Sequence, residues 1–384
     1  MYLVGGIVRD RFIGCAADED IDIVLDGDAA ELARYLSENG VAEHSPVTFP
    51  RFGTAMICVD GCQIELVGAR KESYERTSRK PSTVPGSLLD DVLRRDFTIN
   101  TLLENLHTGE ILDLTGRGKL DIESKIIRAP VDPVKTFDDD PLRMLRAIRF
   151  ATRLGFAIEA ETYAAIGKRA ERLGIVSAER IRDEFVKIVA SPNAASGLES
   201  LRQTGLLSEF APELAAMRGV TQNTYHIHDV WTHTLKTLES IDAGSGITVR
   251  LAAVFHDTGK VETKTVDDRG EVHFYGHQRV GAQIARGIMR SLRFPSAQID
   301  DVAFLISMHL RVGEYDNQWT DAAVRRLLRD AGDRLEDLIE LTKADKAAAN
   351  TEMPTVDLDQ LRAHIDCVKE QLAGQAIESP LDGR

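Results

Sequence analysis

The sequence contains few cysteines and no long apolar segment. Its four cysteines have a spacing typical of neither a metal site nor a disulfide framework: Cys15, Cys58, Cys62 and Cys367. This usage predicts reduced thiols and a cytoplasmic protein. No apolar run approaches the roughly 20 residues of a membrane span, so no membrane association is expected. The start of the chain lacks a basic segment and a small-residue cleavage site, which argues against a signal peptide.

The chain also lacks an excess of positive charge. Its formal net charge of −14 argues against nucleic-acid binding over the whole surface, although a local basic stripe remains compatible with it. No internal repeat and no low-complexity segment is apparent. The length of 384 residues, with 43% hydrophobic and 28% charged residues, predicts an ordinary globular protein of several domains.

An acidic motif, EDIDIVLDG, occupies residues 19–27. Asp20 and Asp22 alternate with apolar residues, so in a strand both carboxylates lie on one face. Two such carboxylates suit a pair of Mg²⁺ ions, and a two-metal site is a general device for phosphoryl and nucleotidyl transfer. A solvated strand edge or turn is the more frequent meaning of an isolated motif of this kind. Glu65, in the strand that follows the Asp60-Gly61 hairpin turn, could complete a carboxylate triad or could face solvent.

Several residues near these carboxylates are candidates for binding a nucleotide. Gly5 and Gly6 allow the backbone to approach phosphate, and Arg9 can pair with phosphate oxygens. The alternative is a tight turn with a surface ion pair. In RRDFTINTL, Arg95 could bind phosphate, whereas Asp96 and Asn100 could bind sugar hydroxyls or stabilise the turn. The polar, basic segment 68–88 predicts a long loop that either covers a polyanion or forms a solvated linker.

A basic helix is predicted over residues 138–156, where Asp140 can cap and Pro141 suits the first turn. Helical periodicity gathers four arginines on one face: Arg143, Arg146, Arg149 and Arg153. Such a stripe indicates a polyanionic ligand, unless acidic side chains from elsewhere in the fold pair with it.

Seven of the ten histidines lie between residues 226 and 309. The adjacent His256 and Asp257 follow an apolar helix, with His233 upstream and Asp345 downstream. This arrangement resembles the HD superfamily of metal-dependent phosphohydrolases. The resemblance implies a divalent metal such as Ni²⁺ or Mn²⁺ on these four residues, and a possible second metal on His277 and His309. A catalytically silent HD fold is the alternative.

The motifs GGIVRD, EDIDIV, IELVGARKE, RRDFTIN and DPLRMLRAIRF occur in this order within residues 1–215. Together they resemble the class II tRNA nucleotidyltransferases, which include bacterial CCA-adding enzymes and poly(A) polymerases. The resemblance implies an α+β fold, with a small mixed-sheet head followed by an all-α neck and body. The expected domains are a catalytic head (1–125), a helical neck (126–215), an HD domain (216–350) and a helical tail (351–384). The family usually has a helix before its first strand, and this sequence departs from the family pattern because it starts at the strand.

The resemblance also implies a reaction. The head would transfer CMP and/or AMP from CTP or ATP to the 3′ end of tRNA, with Mg²⁺ on Asp20 and Asp22 and with Glu65 on the primer side. Asp139, Asp140 and Arg143 would read the incoming base, where the family usually has Glu at the first position. Arg146 and Arg149 would bind phosphates, while Gly6, Arg9 and Arg95 would hold the triphosphate and sugar. No obligate protein partner is inferred.

Three rival interpretations remain. An enzyme that adds only A, or a poly(A) polymerase, would share the head; the HD region argues against the second. Enzymes of the CC-adding class shorten the loop after the third carboxylate, and the retained 68–88 segment favours full CCA or A-only addition. The rival of another class is an HD phosphohydrolase whose head merely binds RNA, and the complete set of head motifs weighs against it.

Overall fold

The structure is a computed structural model that describes residues 1–14, 21–73, 82–316, 318–350 and 356–377. Asp20 therefore lies outside the described residues. The chain divides into two compact units, of which the first comprises residues 1–184 and 203–209 and the second comprises residues 185–202 and 210–384. Among the described residues, no helix is both long and apolar enough to cross a lipid bilayer.

The first unit is built on a seven-stranded mixed sheet with the order β3-β4-β5-β2-β1-β8-β9. Neighbouring strands are antiparallel, except that β2 and β5 run parallel. Its strands are β1 (Tyr2–Val4), β2 (Ile21–Leu25), β3 (Val47–Phe49), β4 (Thr54–Val59), β5 (Cys62–Gly68), β8 (Leu103–Asn105) and β9 (Ile111–Leu112). Asp60 and Gly61 form the predicted turn between β4 and β5, and both have positive φ angles, as a two-residue hairpin turn requires.

Helices cover both faces of this sheet. Between the strands come α1 (Gly6–Phe12), α2 (Ala29–Glu38) and α3 (Leu88–Leu93). The Asp28 side chain caps α2 by accepting hydrogen bonds from the backbone N–H groups of residues 30 and 31. Successive side chains of β2 point to opposite faces of the sheet. Leu25 therefore packs in a cluster with α2, and Val24 packs in a second cluster with Val92 of α3.

The prediction of a loop over residues 68–88 is wrong at both ends of this segment, where the structure has strands. A two-stranded antiparallel ribbon forms from β6 (Arg70–Ser73) and β7 (Ser82–Pro85), in which Lys71 is opposite Val84. Residues 74–81, between the two strands, lie outside the described residues. Strand β6 follows β5 almost directly in the chain, so the ribbon is connected to the strand that contains Glu65.

The remainder of the first unit is mostly helical and contains the basic helix. Its elements are α4 (Gly118–Glu123), β10 (Ile126–Ile127), α5 (Pro133–Asp139), α6 (Leu142–Leu154), β11 (Ala157–Ile158), α7 (Ala160–Arg169) and α8 (Ala178–Val189), the last of which crosses the unit boundary. Phe150 of α6 packs edge-to-face on Phe97, with ring centroids 5.9 Å apart. This contact joins α6 to the turn at Thr98–Asn100.

The second unit is a helical body with one small hairpin. The chain passes between the units within α9 (Ala194–Gln203), which lies in the second unit up to Arg202, and within α10 (Leu206–Phe210), which lies in the first unit up to Glu209. The other helices of the second unit are α11 (Pro212–Ala215), α12 (Val230–Ser240), α13 (Ile247–Phe255), α14 (Lys260–Thr263), α15 (His277–Ser291), α16 (Ser296–Gly313), α17 (Asp321–Ala331), α18 (Leu335–Ala347) and α19 (Leu358–Ile377). The hairpin pairs β12 (Thr265–Val266) with β13 (Val272–His273).

Candidate active site and metal centre

The parallel pairing of β2 with β5 places two of the predicted carboxylates side by side. Asp22 is the register partner of Glu65, and paired residues of neighbouring strands project to the same face of a sheet. Two residues further along, Val24 is paired with Val67, and the Val24 face packs under α3. The carboxylates therefore lie on the α3 face of the sheet, before the point where that face becomes apolar.

Gly5 lies against this carboxylate face. Its φ of +84° belongs to a region that residues with a Cβ rarely adopt. A Cβ at this position would be 3.4 Å from Asp22 Oδ2 and 3.7 Å from Arg95 Nη1. The absence of a side chain at Gly5 thus leaves space between a carboxylate and a guanidinium, and the structure brings three predicted site residues together there.

Arg95 is held in place by an acid that the sequence reasoning missed. Its Nε and Nη2 donate to Asp91 Oδ2 at 3.2 and 2.9 Å, while the neighbouring Arg94 donates from Nε to Asp91 Oδ1 at 2.9 Å. Burial opposes ionisation of Asp91, but the two arginines lower the pKa of this carboxyl below its usual range. The spacing of an acid three and four residues before two arginines in a helix is a signal that could have identified it.

Three other predicted nucleotide ligands are buried in a network instead. Arg9 is 1% exposed and donates to Asp10 at 2.7 Å and to Asn100 Oδ1 at 2.8 Å. Asp96 Oδ1 accepts hydrogen bonds from the Phe97 backbone and from Asn100 Nδ2. The guanidinium of Arg9 therefore has protein partners, and its phosphate contact stays a prediction. For Asp96 and Asn100 the structure shows the alternative, since their side chains stabilise the turn.

The arginines of α6 are largely paired by the protein itself. Arg146 donates to Asp96 Oδ2 from Nε at 2.8 Å and from Nη2 at 2.6 Å. The Arg149 guanidinium lies 2.7 Å from Glu184 of α8, another acid that sequence reasoning missed. Arg153 is exposed. Ion pairs from elsewhere in the fold thus account for part of the basic stripe, which was the alternative to a polyanionic ligand.

The predicted base-reading residues lie at the start of α6. Asp140 Oδ1 accepts from the Leu142 backbone N–H at 3.2 Å. One turn later, Arg143 donates from Nη2 to the backbone carbonyl of Arg94 at 2.6 Å. Burial raises the pKa of the neighbouring Asp139, against the opposing effect of Arg143. The hydrogen bond to Arg94 ties the guanidinium of Arg143 to the segment that carries Arg95.

In the second unit, six predicted ligands converge in two groups. The ligand atoms of His233, His256 and Asp345 lie within 4.8 Å of one another, as do those of a second group formed by Asp257, His277 and His309. Asp257 connects the groups, because its Oδ2 lies 3.2 Å from His256 Nε2 and its Oδ1 lies 3.6 Å from His277 Nε2. One carboxylate therefore reaches both groups, as in a site for two metal ions.

The four imidazoles present the same nitrogen to the centre. Each Nδ1 faces a backbone carbonyl oxygen, those of Ala348, Ala253, Phe274 and Ile306 for His233, His256, His277 and His309, respectively, at 2.7 to 3.3 Å. Donation from Nδ1 leaves the Nε2 lone pair as the free donor, which is the tautomer that binds a metal.

Two buried atoms at the centre have no hydrogen-bond partner within the described part of the chain: His256 Nε2 and Asp257 Oδ1. Buried polar atoms normally have a hydrogen-bond partner, so these two unpaired atoms indicate a binding site for a ligand. Desolvation by burial opposes protonation of His256, but the neighbouring Asp257 and Asp345 raise its pKa to about 10. A divalent cation would occupy the place of that proton, and the nitrogen and oxygen donors suit a borderline metal.

A cavity of about 450 Å³ opens onto these ligands. Lys260 is 5% exposed and donates to Asp257 Oδ2 and to Gln222 Oε1. It therefore orients the connecting carboxylate. His226 also lines the cavity, and burial together with Lys260 lowers its pKa to about 3.

Comparison with known proteins gives family matches over most of the chain. Residues 1–128 match the model of the poly A polymerase head domain, residues 155–218 match the probable RNA and SrmB-binding site of polymerase A, and residues 223–350 match the HD domain. The chain resembles structures of a tRNA nucleotidyltransferase with a primer tRNA and an ATP analogue (TM-score 0.61, 25% identity, 98% of this chain and 96% of that chain). It also resembles the Bacillus stearothermophilus CCA-adding enzyme with CTP in fold (TM-score 0.67, 24% identity, 97% and 78%).

Curated relatives carry related names. A CC-adding tRNA nucleotidyltransferase of Thermus thermophilus is 33% identical over 90% of this chain and 76% of its own length. A multifunctional CCA protein of Haemophilus influenzae is 34% identical over 77% and 71%, respectively. An A-adding enzyme of Deinococcus radiodurans is 35% identical over 69% and 62%. The chain therefore belongs to the class II tRNA nucleotidyltransferases, in the group that joins a poly(A) polymerase-type head to a C-terminal HD domain.

Proposed function

We propose that this chain transfers CMP and AMP from CTP and ATP to the 3′ end of tRNA, without a nucleic-acid template, and releases pyrophosphate. The observation that carries the proposal is the register of β2 with β5, which places Asp22 beside Glu65 on one face of the sheet. The space at Gly5 between Asp22 and Arg95 would accept the triphosphate. Family membership supports the same reaction.

Within this site each residue has a separate task. Asp22 and Glu65, together with Asp20 from outside the described residues, would hold the divalent metal ions that the family uses, and Mg²⁺ suits such carboxylates. When bound, these ions supply charge neutralisation for the triphosphate and the leaving pyrophosphate. Arg95, fixed by Asp91, would direct its guanidinium towards a phosphate oxygen.

Base selection would rest on Asp140 and Arg143 at the start of α6. A carboxylate accepts a hydrogen bond from the amino group of cytosine or adenine, and a guanidinium donates to a ring nitrogen or carbonyl oxygen. The hydrogen bond from Arg143 to the Arg94 carbonyl restrains the guanidinium before a base arrives. A prearranged donor and acceptor would favour C and A and exclude U and G.

Nucleotide specificity is the part of the proposal that the relatives leave open, since their names include CC-adding, A-adding and multifunctional enzymes. The decisive assay incubates the protein with tRNA transcripts that end before CCA, after C and after CC, with CTP and ATP singly and together. Completion of all three ends supports full CCA addition. Extension of the CC end alone would identify an A-adding enzyme, and extension that stops at CC would identify a CC-adding enzyme.

Asp22→Ala tests the carboxylate assignment. Incorporation should be abolished while tRNA binding, measured by filter retention, remains nearly unchanged. Asp26→Ala is the matched control, because Asp26 is an exposed acid just beyond the same strand. An active Asp22→Ala enzyme would refute the assignment.

Arg143→Ala tests base selection. The variant should incorporate UMP or GMP at a raised frequency relative to CMP and AMP, with a smaller change in the KM for CTP. Arg153→Ala, an exposed arginine near the end of the same helix, is the control. Unchanged fidelity in Arg143→Ala, combined with weakened triphosphate binding, would assign this arginine to phosphate contact instead.

A second activity is favoured by the two connected ligand groups of the HD domain. We propose that they hold divalent ions such as Mn²⁺ or Ni²⁺ and hydrolyse phosphate esters, including a 2′,3′-cyclic phosphate at a damaged tRNA end. The unpaired Nε2 of His256 and Oδ1 of Asp257 support this function over a silent fold. The test is hydrolysis by the full-length protein loaded with Mn²⁺ or Ni²⁺, compared with Asp257→Asn; equal rates would exclude the HD ligands as the source.

A further inference from the structure

The mouth of the HD cavity carries an aromatic surface that metal binding does not explain. The rings of His273 and Tyr275 are stacked, with centroids 5.3 Å apart and planes 12° from parallel. Both line the cavity that also contains Asp257, His277 and His309. Tyr275 is 77% exposed, so much of its ring is accessible to a ligand in the cavity.

The hairpin that carries these rings is internally braced. Asp267 Oδ2 lies 3.1 Å from His273 Nε2, and Asp267 Oδ1 accepts backbone N–H bonds from Arg269 and Glu271. The imidazole therefore has a defined plane, and it supports the Tyr275 ring that lies on it. Phe274, between the two, is buried beneath the ammonium of Lys260, with 5.4 Å between Nζ and the ring centroid. All three residues line the cavity, where Phe274 is buried and Tyr275, in the turn after β13, is exposed.

The remaining walls fit the other parts of a nucleotide. Ligands of both metal groups and Lys346 line the cavity, and their charge would favour a phosphate. Tyr225 is a second exposed aromatic residue on the lining. A volume of about 450 Å³ suits one small organic ligand.

We propose that Tyr275, supported by His273, stacks on the base of the nucleotide whose phosphate ester the HD ligands hold. This inference rests on the proposed hydrolase function and names a residue that determines its specificity. Stacking on an aromatic face is tolerant of base identity, so the surface would select nucleotides over other phosphate esters without reading sequence. The ligand could be a free nucleotide or the last nucleotide of an RNA chain.

The test uses the full-length protein with Mn²⁺ and four substrates: adenosine 2′,3′-cyclic phosphate, cytidine 2′,3′-cyclic phosphate, a tRNA transcript ending in a cyclic phosphate, and methyl riboside 2′,3′-cyclic phosphate, which lacks a base.

In Tyr275→Ala, KM for the nucleotides should rise by roughly five- to hundredfold, the range of base stacking on an aromatic side chain. kcat and the base-free substrate should be unaffected, and Tyr275→Phe should behave as wild type. If KM rises only for the tRNA substrate, the ligand is the RNA end. If KM also rises for the mononucleotides, the cavity binds free nucleotides as well.

Val266→Ala, an exposed change on the same hairpin outside the cavity lining, is the matched control. A second readout is independent of turnover: the fluorescence of 2-aminopurine riboside 3′-phosphate should be quenched more by wild type and Tyr275→Phe than by Tyr275→Ala. Hydrolysis with an unchanged KM in Tyr275→Ala would overturn the inference and leave the hydrolase function. Quenching that depends on Tyr275 without hydrolysis would retain nucleotide recognition and reject the hydrolase. Absence of both would overturn the two together.

Discussion

The ion pair between Asp96 and Arg146 is expected to stabilise the first unit at neutral pH. Both hydrogen bonds of this pair go to Asp96 Oδ2, and Oδ1 already accepts from Phe97 and Asn100. In the D96N variant the amide oxygen would keep the Oδ1 bonds, so the new NH₂ group would face the donors of Arg146. Removal of one partner of a buried pair costs about 3–5 kcal/mol. Because the Arg146 side chain is 34% exposed and water can solvate it, about 2–3 kcal/mol is the better expectation here.

The pH dependence has a defined sign. Burial would raise the pKa of Asp96, but Arg146 and the hydrogen bonds from Asn100 hold it well below its usual range. A carboxyl with a lowered pKa in the folded state contributes its full stability above its unfolded pKa of about 3.9, and this contribution is lost as the pH falls through the folded pKa. The difference between wild type and D96N should therefore be constant from pH 7 to about pH 5 and should shrink below about pH 4.

The two units must be measured separately, because one unfolding midpoint does not describe two cooperative units. Both tryptophans of the chain, Trp231 and Trp319, lie in the second unit, so their fluorescence reports that unit. Hydrogen exchange of peptides from α6 and β8 reports the first. D96N should reduce protection of those peptides and leave the tryptophan transition unchanged.

Asp183→Asn is the matched control, since Asp183 is half exposed and pairs with the adjacent Arg182; a surface pair of this kind contributes little. Equal destabilisation of D96N at pH 3 and pH 7 would refute the ion-pair reasoning, as would the same loss of protection in Asp183→Asn.

Three further predictions concern the two sites. Gly5→Ala should lower nucleotide incorporation by about 100-fold, because its Cβ would occupy the space between Asp22 and Arg95 that is proposed to accept the triphosphate. Gly14→Ala, with a similar φ and open space around it, should retain activity, and equal losses would show that backbone strain alone is responsible. His309→Gln should reduce the Mn²⁺ that remains bound after dialysis from two ions per chain to one, as measured by mass spectrometry. His364→Gln is the control, and two retained ions in His309→Gln would show that His309 is not a ligand. Asp257→Asn should lose both ions and cyclic phosphate hydrolysis while nucleotide incorporation continues at the wild-type rate, and a parallel loss of incorporation would mean that the HD ligands also serve the head reaction.

The sequence by itself determined the features that depend on local geometry. Strand alternation is a local property, so the apolar pattern around Asp22 was sufficient to predict a strand with its carboxylate on one face. The Asp60-Gly61 turn was predictable because few residues tolerate its φ angles. Motif order identified the head and the HD region, and the matched family models confirm that recognition.

Tertiary structure decided which residues meet. Glu65 becomes the neighbour of Asp22 through a parallel pairing across the intervening chain, which no local pattern encodes. Packing then separated arginines that look alike in sequence. Arg95 pairs with Asp91 and also lies beside the space at Gly5, whereas Arg9 is buried with Asp10 and Arg146 pairs with Asp96. The connecting role of Asp257 likewise depends on four helices that converge on one carboxylate. Side-chain type states what chemistry a residue can perform, but charge partners and exposure, which are properties of the packed chain, decide whether it faces a substrate or stabilises the protein.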